Sequence, residues 1–541
     1  MVTEADLKPW LRAPVRRYIL TNATIVDVTD GSLRSNAAIQ LKDGLINAIL
    51  DSTESVIDTA REQGFETIDC TGKFVCPGLI DAHVHLVAVP GFGDLSKAFG
   101  NSNDVSLLRQ PYVCTQMLHR GFTSVRDCGG AQQALKEAIH DGVFPGPRLF
   151  IAGHALSQAG GHGDIRGVHD HSECCGGATN GLGRLCNGVP ECMTAVREEI
   201  RGGADFIKIM GSGGVSTPTD RIDHLQFTNA EIQAIVECAE NAGTYVTAHA
   251  YTAKAIKHCI DNGVRGIEHG NFVDAPTARI MAEKGVYLTP TLITYAEMAS
   301  PKWKGYLPPE SVLKNEEVLH AGLVALKTAY DAGVTICFGT DLLGPLGAAQ
   351  SFEFTLRGKA LPSLAVLQSA TINPAKMVGK ESSLGQIKVG FEADIVITDA
   401  NPAENVSILD DPESHVLGVI KEGRIHKSRW NGMMEDAAVP VRVNLFRFIF
   451  RRVVNSFSIA CHTAKSVRPE GYATLVPQVS DQDACKQQNN RGTTAALEVH
   501  KRETRHCYLQ QNENEKYTDI NGIAVSMGDL GERTPDHPWF Q

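Results

Sequence analysis

Alternating apolar and polar residues in the first part of the chain predict short β-strands joined by tight turns. The alternation runs through residues 17–75, where Asp30-Gly31 and Asp43-Gly44 supply hairpin-type turns. A similar pattern returns in residues 383–400 and 415–427. We therefore expect residues 1–75 and 376–430 to form one composite β-sandwich domain built from both ends of the chain.

Between these segments, eight short apolar runs alternate with longer stretches of helical periodicity. The runs occupy residues 79–86, 122–129, 148–153, 205–211, 244–251, 266–271, 285–292 and 333–341. Several helical stretches end in glycine just before the next run, which is typical of helix C-caps. Eight strand–helix units in series predict an α/β protein with a (β/α)8 TIM barrel over residues 76–375, inserted in the sandwich.

Two segments depart from this rhythm. Residues 154–189, after the third predicted strand, are rich in Gly, His and Cys with little periodicity, which favours a functional loop. Residues 431–541 begin apolar and basic and continue rich in Gln, Asn and Glu. That composition predicts a C-terminal extension that is largely disordered, and we assign it no function. Whether its apolar start is a surface helix, an edge strand or non-native sequence stays open.

Composition and charge restrict the function classes. The chain has 541 residues, of which 43% are hydrophobic, so it can bury a large core. Its 51 basic and 62 acidic residues give a net charge of −11 without a polybasic run, which argues against a nucleic-acid partner. No stretch of about 18 apolar residues exists, and residues 1–20 lack a secretory signal pattern. We expect a cytoplasmic protein with no membrane span.

Fourteen cysteines are scattered through the chain, mostly within apolar elements. This distribution predicts reduced, buried thiols instead of a disulfide framework. Four of the fourteen crowd into or just after the glycine-rich segment: Cys174, Cys175, Cys186 and Cys192. A disulfide or a zinc knuckle there stays open, although no CxxC spacing supports it.

Side chains that can bind metals fall at the mouth-side portions of the predicted strands, where barrel enzymes build their sites. His83 and His85 end the first strand, and their i, i+2 spacing points both to one side. Strands four, five, six and eight contribute Lys208, His249, His269 and Asp341. Taken singly, each has an ordinary explanation as a hydrogen-bonded core histidine, a helix cap, a solvated cation or half of an ion pair. Their joint placement on five strands predicts a metal site.

The segments that contain these residues resemble the amidohydrolase superfamily. The similar segments are VCPGLIDAHVHL, DFIKIMGSGGV, VTAHAY, GIEHGN and FGTD, and the similarity covers about residues 17–430. Among its members, the sequence is most similar to the prolidase-like and ochratoxinase-like carboxypeptidases with two metals. The resemblance implies a barrel inserted in a β-sandwich, in agreement with the order of predicted elements.

The resemblance also implies a division of the ligands between two divalent metals. The more buried metal would take His83, His85 and Asp341, and the more exposed one His249 and His269. Lys208 would bridge both as an N-carboxylated lysine, because an ammonium beside two dications is disfavoured and a neutral amine can take up carbon dioxide. A histidine-rich ligand set favours zinc.

A mechanism follows from this implied site. A water that bridges two dications becomes hydroxide near neutral pH, and Asp341 would accept its proton and deliver it to the leaving amine. Tyr251 points the same way as His249 and could donate to an oxyanion or a substrate carboxylate, or simply pack at the rim. His162 could contact a substrate or transition-state oxygen, or lie in a solvated turn. Arg126 could bind a carboxylate, or pair with a neighbouring acid.

We therefore expect a metallopeptidase-like hydrolase that cleaves the amide bond of a small substrate, such as a dipeptide or an N-acyl amino acid. One alternative is a mononuclear deaminase or imidazolone-type cyclic amidohydrolase, but the resemblance implies that those relatives lack a counterpart of Lys208. Another is a catalytically inactive scaffold, against which the full set of six ligands argues. The side-chain preference, the native metal and a homo-oligomeric state stay open.

Overall fold

The computed structural model describes residues 7–8, 10–95, 103–167, 169, 181–217 and 219–436. These residues form a mixed α/β fold. The strands are β1 (Tyr18–Val26), β2 (Leu33–Lys42), β3 (Leu45–Asp51), β4 (Glu66–Asp69), β5 (Phe74–Pro77), β6 (Leu79–Val84), β7 (Phe122–Asp127), β8 (Arg148–Ile151), β9 (Ala155–Ser157), β10 (Gly183–Leu185), β11 (Ile207–Met210), β12 (Val246–Thr252), β13 (Gly266–Phe272), β14 (Tyr287–Thr289), β15 (Ile395–Thr398), β16 (Val416–Lys421) and β17 (Arg424–Ser428).

The α-helices are α1 (Glu54–Glu62), α2 (Asn103–His119), α3 (Gln133–His140), α4 (Gly188–Arg201), α5 (Asn229–Asn241), α6 (Ala253–Asp261), α7 (Ala275–Glu283), α8 (Leu292–Ala299), α9 (Pro309–Asp331), α10 (Phe352–Gly358), α11 (Ser363–Ser369), α12 (Ile372–Met377) and α13 (Pro412–His415). Short 3-10 helices occupy Pro301–Trp303, Gly344–Ala349 and Val406–Asp410.

Strands from both ends of the described chain share one eight-stranded sheet. Its order is β17-β16-β15-β5-β1-β2-β3, with β4 paired to β1. The two ends meet where β5 runs antiparallel to β15, with Val75 opposite Ile397. A cluster of buried apolar residues that includes Leu20, Ile39 and Ile397 packs on this sheet. A second sheet layer, which a sandwich requires, stays a prediction.

Residues 431–436 pack against this sheet, although the predicted boundary of the domain falls at residue 430. Met433 is buried in the same apolar cluster. Asp436 accepts hydrogen bonds from Tyr18 Oη and from Arg16 Nε, each at 2.9 Å. The remainder of the predicted C-terminal extension, residues 437–541, lies outside the described residues.

The middle of the chain forms two parallel sheets, β6-β7-β8 and β10-β9-β11-β12-β13-β14. Backbone hydrogen bonds also connect these sheets with their neighbours. Asp205 N, just before β11, donates to Ile151 O of β8 at 2.7 Å, and Ala82 N of β6 donates at 2.7 Å to Phe338 O, in the segment that bridges to β14. The largest cluster of buried apolar residues packs on these strands. Since the strands are parallel, their carboxyl ends collect at the same edge.

Seven of the eight predicted strands of this region form regular strands, and the eighth does not. In residues 333–341 only Ile336 pairs, as an isolated parallel bridge with Leu288. The partner strand of this bridge, β14, itself has three residues. The segment 154–189 contains two strands that the pattern did not predict, β9 and β10, each of three residues and too short to produce a recognisable alternation.

Helix ends follow local sequence signals. Helix α5 begins after Thr228, whose side chain accepts from Glu231 N while the Glu231 carboxylate accepts from Thr228 N, a capping box. Helix α7 begins after Asp274, whose side chain accepts from Thr277 N. Gly243, which follows α5 closely, has a φ of +76°, a conformation that suits glycine and ends the helix.

The nine cysteines within the described residues are free and buried, which confirms the predicted reduced thiols for that part of the chain. Cys186 and Cys192 are among them, whereas Cys174 and Cys175 lie outside the described residues. Among the described helices, none combines the length and apolar character needed to cross a membrane.

Candidate active site and metal centre

A cavity of about 540 Å³ lies at the carboxyl ends of the parallel strands. The predicted site residues all line it: His83, His85, His162, Lys208, His249, Tyr251, His269 and Asp341. Its other walls are largely apolar and include Leu95, Val215, Met298, Leu307 and Leu343. The fold therefore brings together side chains that lie up to 258 positions apart between His83 and Asp341.

Three of these residues already have the spacing of a metal site. One ligand atom from each of His83, His269 and Asp341 lies within 4.8 Å of the others. Asp341 Oδ1 is 3.5 Å from His83 Nε2 and 3.3 Å from His85 Nε2. His83 Nε2 is buried without a hydrogen-bond partner among the described residues. Such an orphaned nitrogen calls for a partner that the protein does not supply, and a metal ion fits that need.

The remaining candidate ligands border the same space. The rings of His249 and His269 are 4.5 Å apart between centroids, and those of His83 and His269 are 5.0 Å apart. Lys208 is 1% exposed, and no carboxylate among the described residues forms an ion pair with it. The ordinary explanation of this lysine as half of an ion pair is therefore not supported within the described part of the chain.

The second nitrogen of several imidazoles is fixed by a hydrogen bond. His83 Nδ1 contacts Glu268 Oε2 at 2.8 Å, His85 Nδ1 contacts Gly129 O at 2.9 Å, and His269 Nδ1 contacts Thr291 Oγ1 at 2.7 Å. Such contacts orient metal-binding histidines and leave Nε2 for the ligand role. His249 differs, because its Nε2 lies 3.3 Å from Gly213 O, so that Nδ1 is the nitrogen left for the ligand role.

Burial sets the charge state of the site. It is the largest cause that lowers the pKa of His83 to about 4, and it lowers the pKa of His249 and of His269 well below the ordinary value. These three imidazoles are neutral at pH 7, the form that binds metals. Burial alone would raise the pKa of Asp341, but its interactions with His83 and a hydrogen bond with His85 lower it, so the carboxylate is ionised.

Two candidate ligands have strained backbones. The φ angles of His269 and Asp341 are +73° and +51°, in the left-handed region that non-glycine residues rarely adopt. Such conformations cost about 1–3 kcal/mol each and cluster at functional sites. At His269 the strain also breaks the strand alternation, so that both Glu268 and His269 reach His83.

Arg126 does not line the cavity, and of the two alternatives for it, contact with a bound carboxylate and an ion pair, the structure shows the ion pair. Its guanidinium and the Glu268 carboxylate form a fully buried ion pair, which confirms the alternative that it pairs with a neighbouring acid. Arg126 Nε also donates to Ala82 O at 2.6 Å. Because Glu268 also forms a hydrogen bond with His83 Nδ1, this ion pair helps to orient the imidazole of a candidate metal ligand.

Tyr295 lines the cavity but carries no signal in the sequence, because it lies on helix α8 outside any strand pattern. Its Oη is 2.8 Å from Tyr251 Oη and 3.0 Å from His269 Nδ1. Tyr251 lies beside His249, as strand alternation predicts, with 4.9 Å between ring centroids. Burial, followed by Tyr295, raises the pKa of Tyr251 well above the ordinary value, so its phenol is a proton donor.

His162 reaches the same group of rings from the long segment after β9. Its ring stacks on His249 with 4.3 Å between centroids and 22° between planes. Its Nδ1 lies 3.3 Å from Asp220 Oδ2, and its side chain is 10% exposed. The alternative of a solvated turn is therefore wrong for this histidine.

Comparison with known proteins agrees with this geometry. Residues 74–426 match the model of the amidohydrolase family. Ochratoxinase from Aspergillus niger is 32% identical over 426 residues, which cover 76% of this chain and 87% of that protein.

Solved structures give the same result. A crystal structure of a prolidase complexed with N-methylphosphonate-L-proline is 40% identical, with a TM-score of 0.72, and the match covers 76% of this chain and 100% of that one. The crystal structure of A. niger ochratoxinase is 29% identical, with a TM-score of 0.66, covering 77% of this chain and 96% of that one.

The family match extends over more than half of the chain, and it includes every candidate metal ligand. The similarity to ochratoxinase and to a prolidase confirms the resemblance noted from the sequence segments. The chain therefore belongs to the amidohydrolase family, in its prolidase- and ochratoxinase-like group, and is a hydrolase acting on carbon–nitrogen bonds.

Proposed function

We propose that this chain is a binuclear metal-dependent hydrolase that cleaves the amide bond of an N-acyl amino acid or a dipeptide. The observation that carries the proposal is the convergence of four histidines, Lys208 and Asp341 on one cavity. The similarity to an ochratoxinase and to a prolidase supports a small amide substrate. The largely apolar outer wall is compatible with a substrate that has an apolar side chain.

The proposal includes the fold that presents the site. The two parallel sheets close into one (β/α)8 barrel over residues 76–375, and the terminal sheet folds into a sandwich from residues 1–75 and 376–430. The hydrogen bonds from Asp205 to Ile151 and from Ala82 to Phe338 support closure, because they connect β8 with the residues just before β11, and β6 with the segment that bridges to β14. A barrel also explains why the candidate ligands from five strands meet at one mouth.

The ligand set divides between two metals as the family resemblance implies. One metal would be held by His83, His85 and Asp341, and the other by His249 and His269. Lys208, as an N-carboxylated lysine, would serve both, and the histidine-rich set favours zinc. When bound, the metals supply an activated water and polarise the scissile carbonyl.

The protein's own side chains then move protons and bind substrate oxygens. Asp341 is ionised and 19% exposed on the cavity, so its carboxylate accepts the proton of the attacking water and delivers it to the leaving nitrogen. The new carbon–oxygen bond forms as the carbon–nitrogen bond breaks. Tyr251 donates its hydroxyl to a substrate oxygen, and His162, which also packs on His249, contacts the substrate.

A substrate screen tests this proposal. Zinc-loaded protein is incubated with N-acyl amino acids and with dipeptides, and the free amino acid is measured. We expect release by the wild type and a decrease of at least about 100-fold in Lys208→Ala, because a shared ligand is lost. Lys284→Ala, at an exposed ion pair with Asp261, is the matched control and keeps full activity. Equal activity in Lys208→Ala and wild type would contradict the two-metal mechanism.

A further inference from the structure

The segment after β11, residues 211–217 together with Asp220, is called the β11 loop here. Val215, Ser216 and Thr217 of this loop line the cavity beside His162. Gly214 packs directly on the His162 ring, because a Cβ at this position would lie 2.2 Å from His162 Cε1. His162 is therefore enclosed between the β11 loop and the ring of His249.

Asp220 lies behind His162 and is 3% exposed. Its Oδ2 is 3.3 Å from His162 Nδ1, and it also accepts from Gly214 N at 3.1 Å and from Gln226 Nε2 at 3.3 Å. Burial would raise the pKa of Asp220, but His162 and then Lys314 outweigh burial and lower it. The group facing His162 Nδ1 is therefore a carboxylate, which can only accept a hydrogen bond.

Thr217 gives independent evidence for the tautomer of His162. Its hydroxyl donates to the backbone oxygen of His162 at 2.8 Å, and the same Oγ1 lies 2.9 Å from His162 Nδ1. A hydroxyl has a single proton, so Thr217 accepts at the second contact. His162 Nδ1 must then carry the hydrogen. Its Nε2, which lies 3.3 Å from the Ser216 hydroxyl, remains as the atom available to a substrate in the cavity.

Lys314, near the start of helix α9, fixes the β11 loop. Its ammonium donates to three backbone oxygens, those of Gly214 at 3.1 Å, Thr217 at 2.7 Å and Asp220 at 2.6 Å. An ammonium has three hydrogens, so these three hydrogen bonds use every hydrogen that Lys314 can donate. Lys314 Nζ also lies 3.5 Å from Asp220 Oδ1, an oxygen that has no hydrogen-bond partner among the described residues.

We propose that Asp220 and Lys314 are positioning residues for catalysis. Lys314 holds the β11 loop against helix α9, and Asp220 fixes the ring plane and tautomer of His162 so that Nε2 meets the substrate oxygen. This inference rests on the proposed function, since His162 acts there as a substrate contact. Asp220 has no hydrogen bond or ion pair with a proposed metal ligand in the described chain, so Asp220→Asn is expected to leave metal binding intact.

A double-mutant cycle tests whether Asp220 acts through His162. Asp220→Asn, His162→Ala and the double variant are compared on the N-acyl amino acid that the wild type hydrolyses best. We expect Asp220→Asn to lower kcat/KM about 10–100-fold, mainly through kcat, since supporting contacts have effects of this size. In the His162→Ala background the same substitution changes kcat/KM less than about threefold, because the two residues act as a unit.

Equal losses in the two backgrounds would overturn the inference, as would loss of bound zinc in Asp220→Asn. Either result would mean that Asp220 supports the fold or the metals independently of His162.

Lys314→Met provides a test that needs no substrate. We expect faster amide hydrogen exchange in residues 211–217, because three charge-assisted hydrogen bonds are lost. The matched control is Lys327→Met on the same helix, because the ammonium of Lys327 pairs with the exposed Asp331. In this control variant we expect amide exchange in residues 211–217 to stay as in the wild type. Unchanged exchange in Lys314→Met would overturn the inference, whereas a wild type without hydrolytic activity would contradict the proposed function instead.

Discussion

At the scale of single residues, Asp341 combines the properties that a proton carrier needs. It faces the cavity, lies within 3.5 Å of two imidazoles, and is held ionised by them. Its backbone adopts a strained conformation with a φ of +51°. Substitution by asparagine keeps the volume of the side chain but removes its charge and its capacity for proton transfer. Asp341 is for this reason suitable for a kinetic test.

We expect Asp341→Asn to lower kcat about 10²–10⁴-fold with a much smaller effect on KM, because an amide cannot take up and release the proton. Steady-state kinetics on zinc-loaded protein measure both constants, and metal content is determined in the same samples. Asp331→Asn, at an exposed pair on helix α9, is the control. An unchanged kcat in Asp341→Asn at full metal content would contradict the assigned role.

Strand alternation was sufficient to predict which side chains share the cavity where the strands are regular. It placed His83 with His85 and His249 with Tyr251 on common sides. It could not predict the contact between Glu268 and His83, because the positive φ of His269 interrupts the alternation.

Sequence patterns also could not predict the residues that position His162. Asp220 and Lys314 come from a loop and from a helix that are 94 positions apart, and no periodicity relates them. Only the packing of helix α9 against the loop brings them together.

At the scale of elements, local signals located most helices and strands. Helix α5 occupies the stretch of helical periodicity between the fourth and fifth predicted strands, with its capping box at Thr228 and Glu231. The eighth strand of the series is reduced to an isolated bridge at Ile336, because the length of a parallel pairing depends on the partner strand. Apolar sequence alone carries no information about that partner.

Strand β8 is tied to the terminal sheet by Arg148. Its guanidinium pairs with Asp394 at 2.6 Å, with Glu422 at 2.9 Å and with Glu392 at 3.3 Å. The Asp394 side chain is 6% exposed, so it would be left as a buried, unpaired charge without the arginine.

We expect Arg148→Met to lower the free energy of unfolding by about 3 kcal/mol, because removing one partner of a buried ion pair leaves the other uncompensated. Urea denaturation measures the change. Arg34→Met removes an exposed pair with Asp51 and serves as the control, with an expected loss below about 1 kcal/mol. Equal losses in the two variants would show that the Arg148 cluster does not hold the sheets together.

At the scale of the described residues, the order of strands and helices predicted an α/β protein, and strands within residues 18–77 and 395–428 share one sheet. Closure of the barrel and the second layer of the sandwich stay predictions, because they depend on contacts between elements distant in sequence. The apolar outer wall of the cavity comes from loops and helices around the strands, so the sequence pattern could not predict its shape.

Metal counting on purified protein decides between the two-metal hydrolase and its alternatives. We expect two metal ions per wild-type chain, fewer than two in Lys208→Ala, and loss of hydrolysis on chelation that added zinc restores. The melting temperature should fall with metal removal, since the ions bind the folded state. One metal ion, or none, in a fully active wild-type preparation would contradict the shared role of Lys208 and the convergence of ligands around it.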